Sequence, residues 1–308
     1  MRARYLNLMI LVWSALLFGV PNGYGEEDTK SGWQRSMTAI EPPEEPPQIA
    51  LNPGLDNLEV TTPNWVMAGS QVWLQNVTRA SIIPYLAAGD GPHPSVILIP
   101  GGGFKFLSMS NEGWLIAERL VAAGVNVFLL KYRVDATPQD PILFQRELMS
   151  ALTTSSISRD PSLYDQENVR RAREDAQRAL VYLREHSAQF RIDPNKLGLL
   201  GFSAGAITAI AVALDNRAEE HPDWVGALYG SLIAVDVPRS PPPLFIAMAS
   251  DDPLFNHEGF GLVRSWHDAG GATELHWYTR GGHGFGAIEQ GTTSDRWLNQ
   301  FLAWLNTL

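Results

Sequence analysis

The sequence predicts an α/β fold, a mainly parallel sheet covered by helices on both faces. Three observations carry that expectation. Short, wholly apolar runs alternate with longer amphipathic segments from about Val60 to the C-terminus, the order that βα units produce. Several runs are apolar at every position, as strands buried on both faces are. The chain has 308 residues and is 45% hydrophobic, enough for one large domain with a substantial core.

Taken in order, Val96-Ile97-Leu98-Ile99 is a buried strand ending at Pro100 and three glycines. Trp114 to Ala123 has helical apolar spacing and stops at Gly124, and Val125 to Leu130 is the next buried strand. Val169 to Ser187 is a long amphipathic helix with Ala172, Ala176, Ala179, Leu180 and Leu183 on one face. Lys196 to Gly201 is a strand, and Ala204 to Leu214 a helix of small apolar residues. Val225 to Tyr229, Leu244 to Ala249 and Glu274 to Tyr278 read as three more strands. A C-terminal helix covers Asn299 to Leu308. The connection from Ala136 to Glu167 is far longer than the ~2–6 residues usual for such links. It carries Ile142, Leu143, Phe144, Leu148, Met149 and Leu152 at near-helical spacing, so a short helix is expected there. The preceding strand ends on the side where such sheets bind ligands, so Phe144 and Leu148 are expected either to wall the site as a partial lid or to pack on the domain flank.

The N-terminus has the layout of a secretory signal peptide. Arg2 and Arg4 precede an apolar stretch from Leu8 to Phe18, Pro21 breaks it, and Gly23-Tyr24-Gly25 offers small residues for cleavage. Residues 1–25 are therefore expected to be removed and the protein exported to the periplasm or beyond. That removes two arginines and no acid, taking the net charge from −10 to −12. Residues 26–55 are polar and rich in proline. Glu41-Pro42-Pro43-Glu44-Glu45-Pro46-Pro47 is expected to be extended and solvated, a linker or a surface-hugging arm. The catalytic domain is expected over residues 56–308.

Composition excludes several classes of function. The negative charge argues against nucleic acid, whose phosphates call for clustered Lys and Arg. Arg170, Arg171 and Arg173 are followed by Glu174 and Asp175, and read as a solvated helix face. The chain has no cysteine, which excludes disulfides, thiolate nucleophiles, lipid-modified cysteine and Cys-ligated metal. No apolar run of ~20 residues follows the N-terminal segment, so no membrane span is expected after cleavage.

Gly201-Phe202-Ser203-Ala204-Gly205 lies between an apolar strand and a helix, the setting a G-x-S-x-G nucleophile elbow requires. The turn is so tight that bulky residues two places either side of the serine would clash, and the helix N-terminus behind it favours negative charge. A serine hydroxyl needs a base. Of seven histidines, only His283 follows the last predicted strand, in Gly281-Gly282-His283-Gly284-Phe285-Gly286. His276 sits within that strand and is expected to pack or hydrogen-bond there. His93, His186, His221, His257 and His267 fall on predicted helices or turns. The acid is expected between serine and histidine at a strand end. Asp252 is the candidate and Asp251 the alternative, both after Leu244–Ala249. Pro100-Gly101-Gly102-Gly103-Phe104 supplies backbone N–H groups for an oxyanion hole, expected from Gly102, Gly103 and Ala204. No Gly-Lys-Ser/Thr follows these glycines, which argues against a phosphate loop. No His and carboxylate cluster has metal-ligand spacing, and no cofactor is expected.

These elements, in this order, resemble the α/β-hydrolase superfamily, and within it the secreted bacterial acetylxylan- and feruloyl-esterase-like group, also called xylanase-like. The likeness runs from about Val60 to Leu308. It includes the Pro100 loop, Leu130-Lys131-Tyr132-Arg133, Asp175 to Arg184, Ile192-Asp193-Pro194, the Ser203 elbow and the His283 loop. Asp252-Pro253-Leu254 is similar to the acid turn of hormone-sensitive-lipase-like esterases. Pro100 stands where those lipase-like enzymes carry His, and Ala206 where a second glycine is usual, which crowds the elbow. Leu214 to Pro243 is short for the group. The resemblance implies a carboxylic ester hydrolase working through an acyl-enzyme, on short-chain or acetyl esters of a small molecule or plant-derived carbohydrate. The other readings are a lipase or a peptidase of the same fold, or an inactive binding protein built on it. The sequence leaves the oligomeric state open.

Overall fold

The computed structural model describes residues 37–51, 63–154, 160–215, 217, 220–255 and 257–308. The expected signal peptide, and the rest of the chain up to residue 36, lie outside the described residues. Strands are β1 (Met37–Ile40), β2 (Ile49–Ala50), β3 (Asn64–Ala68), β4 (Gln71–Gln75), β5 (Ser81–Tyr85) and β6 (His93–Ile99). They continue with β7 (Phe106–Ser108), β8 (Asn126–Lys131), β9 (Ile192–Phe202), β10 (Val225–Leu228), β11 (Leu244–Ala249) and β12 (Thr273–Tyr278). Helices are α1 (Leu115–Ala122), α2 (Pro141–Thr154), α3 (Glu167–Glu185), α4 (Ser187–Phe190), α5 (Ala204–Ala213), α6 (Gly261–Asp268) and α7 (Trp297–Leu305).

The main sheet has eight strands in the order β12-β11-β10-β9-β6-β8-β5-β2. From β12 through β8 every pairing is parallel, and β5 and β2 complete one edge antiparallel. Every residue of β8, β10 and β11 is buried, so helices cover both faces, as apolar runs of this kind require. The chain leaves β6 toward β8 on one side and returns to β9 on the other. Loops leaving the carboxyl ends of β6 and β9 therefore diverge, and such a reversal of strand order opens a crevice for ligands.

Helix α5 is buried along its whole length. Its alanines let it lie close to β9, β10 and α3, which a bulkier helix would not. Gly198 sits mid-strand because a Cβ there would stand 2.1 Å from the Trp224 ring. The indole itself is buried.

A second sheet, β1-β3-β4-β7, is wholly antiparallel and stands beside the crevice. It draws the proline-rich stretch into the fold. Glu41 to Gln48 forms neither helix nor strand, but its flanks, β1 and β2, pair with β3 and β5. The expected solvation is corrected at Glu45, which is buried against Lys131 in an ion pair. Lys131 also lies over the Trp65 ring, 5.1 Å from its centroid. The stretch hugs the domain because a buried cation requires a buried anion.

Candidate active site

Ser203 stands between β9 and α5 with φ 50° and ψ −115°, a conformation that side chains rarely adopt. The flanking glycines explain why the chain can make this turn. A Cβ at Gly201 would stand 2.1 Å from the Gly205 carbonyl oxygen, and one at Gly205 2.0 Å from that of Ile99. The Ser203 N–H is fixed by the Leu228 carbonyl at 2.9 Å. The crowding expected from Ala206 is relieved by Gly230, where a Cβ would approach the Ala206 methyl to 2.7 Å.

Ser203 Oγ lies 2.8 Å from His283 Nε2, and His283 Nδ1 lies 2.8 Å from Asp252 Oδ2. A neutral imidazole that donates from Nδ1 to the carboxylate leaves Nε2 to accept the serine proton. Asp252 is fully buried, and its Oδ1 accepts the Leu254 and Phe255 N–H groups. Asp251 turns elsewhere, its Oδ1 accepting the Gly282 N–H at 2.7 Å. The structure therefore separates the two aspartates, and it is Asp252 that meets the imidazole. Burial pulls the proton affinity of His283 down. The Asp252 carboxylate, by charge and by hydrogen bond, and then Glu112 outweigh it, and the net shift is upward.

Gly102 and Gly103 line the same cavity as Ser203 and His283. Their loop is held by Lys105 and Phe106 N–H groups donating to Gly102 O. A Cβ at Gly102 would meet the Phe106 carbonyl at 1.9 Å. Ala204 is the first residue of α5, where N–H groups lack an acceptor within the helix. Gly102 and Gly103 thus line the cavity, and Ala204 directly follows the serine that lines it with them.

The cavity measures about 160 Å3 and is walled by Met37, Trp73, Phe106, Leu148 and Met149. Leu148 is therefore a pocket residue, as one of the two readings of α2 expects. Phe144 is not. It is fully buried behind the wall, edge-on to Trp73 and Phe106 at 6.5 and 6.0 Å. The N-terminal arm also reaches the cavity through Met37.

Sequence reasoning overlooked Asn111 and Glu112, which lie on one π-helical turn, Ser110–Trp114. Asn111 Nδ2 donates to Gly284 O, and its Oδ1 accepts the Ala287 and Ile288 N–H groups. Glu112 accepts the Gly101 N–H and the Tyr229 hydroxyl. Nothing in Ser110-Asn111-Glu112-Gly113 distinguishes a buried acid from a solvated one. Among the other histidines, His276 Nε2 donates to Glu274 Oε1 at 2.7 Å on β12. His93, expected on a helix or turn, opens β6.

The Leu130-Lys131-Tyr132-Arg133 motif anchors its two neighbours, the glycine loop and α3. Tyr132 donates to Pro100 O at 2.9 Å and so fixes the start of the glycine loop. Beside it, Arg133 pairs with the buried Asp175 on α3.

The chain has the α/β-hydrolase fold. The BD-FAE family model matches residues 157–231, the part containing α3, β9, the Ser203 elbow and β10. An acetylxylan esterase of Xylanibacter ruminicola is 21% identical over 249 residues, 70% of this chain and 45% of that protein. An endo-1,4-beta-xylanase B of Butyrivibrio fibrisolvens is 27% identical over 146 residues, 47% of this chain and 19% of that protein. The chain therefore spans less than half the length of these curated relatives. Among solved structures, the acetyl ester-xyloside bifunctional hydrolase of Caldicellulosiruptor lactoaceticus superposes with a TM-score of 0.61 at 20% identity. That match covers 85% of this chain and 96% of the other.

Proposed function

We propose that the protein is an exported serine esterase that hydrolyses short-chain or acetyl esters, with plant-derived carbohydrate esters as the natural class. The observation that carries this reading is the run of contacts from Ser203 Oγ through His283 to Asp252, opening on a small apolar cavity. Ser203 attacks the ester carbonyl while His283 takes its proton. The negative oxygen of the tetrahedral intermediate is held by the Gly102, Gly103 and Ala204 N–H groups. His283 then protonates the departing alcohol. Water, deprotonated by His283, attacks the acyl carbonyl, the bond to Ser203 Oγ breaks as His283 returns the proton to that oxygen, and Asp252 holds the imidazole tautomer through both halves. No cofactor enters these steps.

A cavity of about 160 Å3 is close to the ~150 Å3 that accommodates benzene, which favours a short acyl group. The carbohydrate part rests on the likeness to an acetylxylan esterase and on the export expected from residues 1–25. The test is a p-nitrophenyl ester chain-length series alongside acetylated xylan, with fluorophosphonate labelling of Ser203. Ser203→Ala should lower kcat by ~10⁵–10⁶ with the fold intact. Labelling of that variant at an unchanged rate rejects the nucleophile.

A further inference from the structure

Two loops of the site come from distant parts of the chain, the Gly101–Gly103 turn after β6 and the His283 loop after β12. Glu112 lies between them, 4% exposed. Its Oε2 accepts the Gly101 N–H at 2.7 Å and its Oε1 the Tyr229 hydroxyl at 2.9 Å. The same hydroxyl accepts the Gly286 N–H at 3.2 Å, three residues beyond the base. A Cβ at Gly101 would stand 2.9 Å from Glu112 Oε2 and 2.8 Å from Ser203 Cβ. Carboxylate, turn and nucleophile therefore converge on one point, and Glu112 also lines the cavity.

We propose that Glu112 is a positioning residue for the ester chemistry: its carboxylate fixes the Gly101–Gly103 turn through Gly101 and the His283 loop through Tyr229. Oxyanion donors and base then keep one mutual geometry. This role rests on the reading of Ser203 and His283 given above.

The hydrogen bonds identify the charged form as the working one. Tyr229 already accepts from Gly286, so its own proton goes to Glu112, and the Gly101 N–H is a donor as well. A carboxylate with two donors and none of its own protons satisfies all of them. Burial opposes that charge and raises the proton affinity of Glu112. The Gly101 and Tyr229 hydrogen bonds and the charge of protonated His283 offset only part of this, and the net shift stays upward. Burial, and then Glu112, push the Tyr229 hydroxyl far up, so it remains a donor. The groups acting on His283 are Asp252 from the loop after β11, Glu112 from the π turn, and the hydroxyl of Ser203. The Tyr229 ring stands edge-on to the imidazole at 5.2 Å. Tyr132 from the end of β8 also feels Glu112. The negative charge of Glu112 favours the imidazolium that forms when Ser203 is deprotonated.

Glu112→Gln keeps the shape and one acceptor but removes the charge. It should lower kcat on p-nitrophenyl acetate by about a hundredfold, the scale of a misplacement near 1 Å, with KM within about threefold. Because Glu112 raises the proton affinity of His283, the acid limb of kcat/KM should move to lower pH. A purely structural role would leave that limb in place. Tyr229→Phe breaks the second link while keeping the ring, and should lower kcat with little change in KM. Wild-type kcat and an unmoved acid limb in Glu112→Gln overturn the proposal. If that variant does not fold, the same result in Tyr229→Phe overturns it. A wild-type chain that fluorophosphonate does not label overturns the reading of Ser203 itself, and this role with it. Labelling with unchanged Glu112→Gln kinetics removes only Glu112.

Discussion

Asp251 and Asp252, adjacent in the chain, grip adjacent residues of the histidine loop. Asp251 Oδ1 accepts the Gly282 N–H at 2.7 Å, and Asp252 Oδ2 lies 2.8 Å from His283 Nδ1. One aspartate holds loop backbone and the other holds the base. Asp252→Asn should lower kcat by ~10⁴, because an amide favours the wrong imidazole tautomer. Asp251→Asn keeps an acceptor oxygen for Gly282 and should cost at most about tenfold. Steady-state kinetics of the two variants decide, and the reverse ranking would move the acid to Asp251.

The pH profile follows from the same contact. Protonated His283 cannot take the serine proton, so kcat/KM should fall as pH falls through its titration. Its net shift is upward, which places that acid limb above the ~6.5 of free imidazole. A limb at or below that value would contradict the pairing with Asp252.

Phe144 and Leu148, one turn apart on α2, should separate cleanly. Leu148→Ala enlarges the cavity and should raise the rate on butyryl relative to acetyl esters with little change in melting. Phe144→Ala leaves a void behind the wall and should destabilise by ~3–5 kcal/mol, seen as a fall of several degrees. Equal effects of the two variants on chain-length preference would place Phe144 in the pocket as well.

Glu45 and Lys131 test how firmly the N-terminal arm belongs to the domain. Both are buried, and burial lowers the proton affinity of Lys131 while Glu45 opposes that. Removing one partner leaves a buried charge unpaired, so Glu45→Gln should cost ~3–5 kcal/mol. The double variant Glu45→Leu with Lys131→Met should recover much of it. Denaturant titrations of the single and double variants measure the difference, and a neutral Glu45→Gln would mean that this ion pair does not hold the arm.

The parts of the fold legible in the sequence are those where one physical signal dominates. Leu244–Ala249 is apolar at every position, and the strand has those bounds. Ser203 and His283 could be read from glycines that only a tight turn explains. Strand β9 begins earlier than expected, at Ile192 rather than Lys196, because Asp193-Pro194-Asn195 has the composition of a turn. Helix α6 went unread because its eight residues bury only Leu262 and Trp266, too few to show a period. The second sheet was hidden for a similar reason, since β7 is three residues long and β1 lies in a stretch that proline dominates. Glu112 and Asn111 are the deeper omission. Their burial is imposed by loops that meet only in three dimensions, and a local polar sequence carries no trace of it.

The backbone of Ser203 has a further consequence. Residues held in such sparsely populated conformations cost ~1–3 kcal/mol, and glycine, which lacks a Cβ, would relieve that cost at this position. A chain with glycine at 203 would fold more comfortably and lack the hydroxyl. Folding and chemistry thus prefer different residues at the same place. Laboratory evolution for heat resistance alone would be drawn toward losing this side chain, so any such screen on this protein has to select for turnover at the same time.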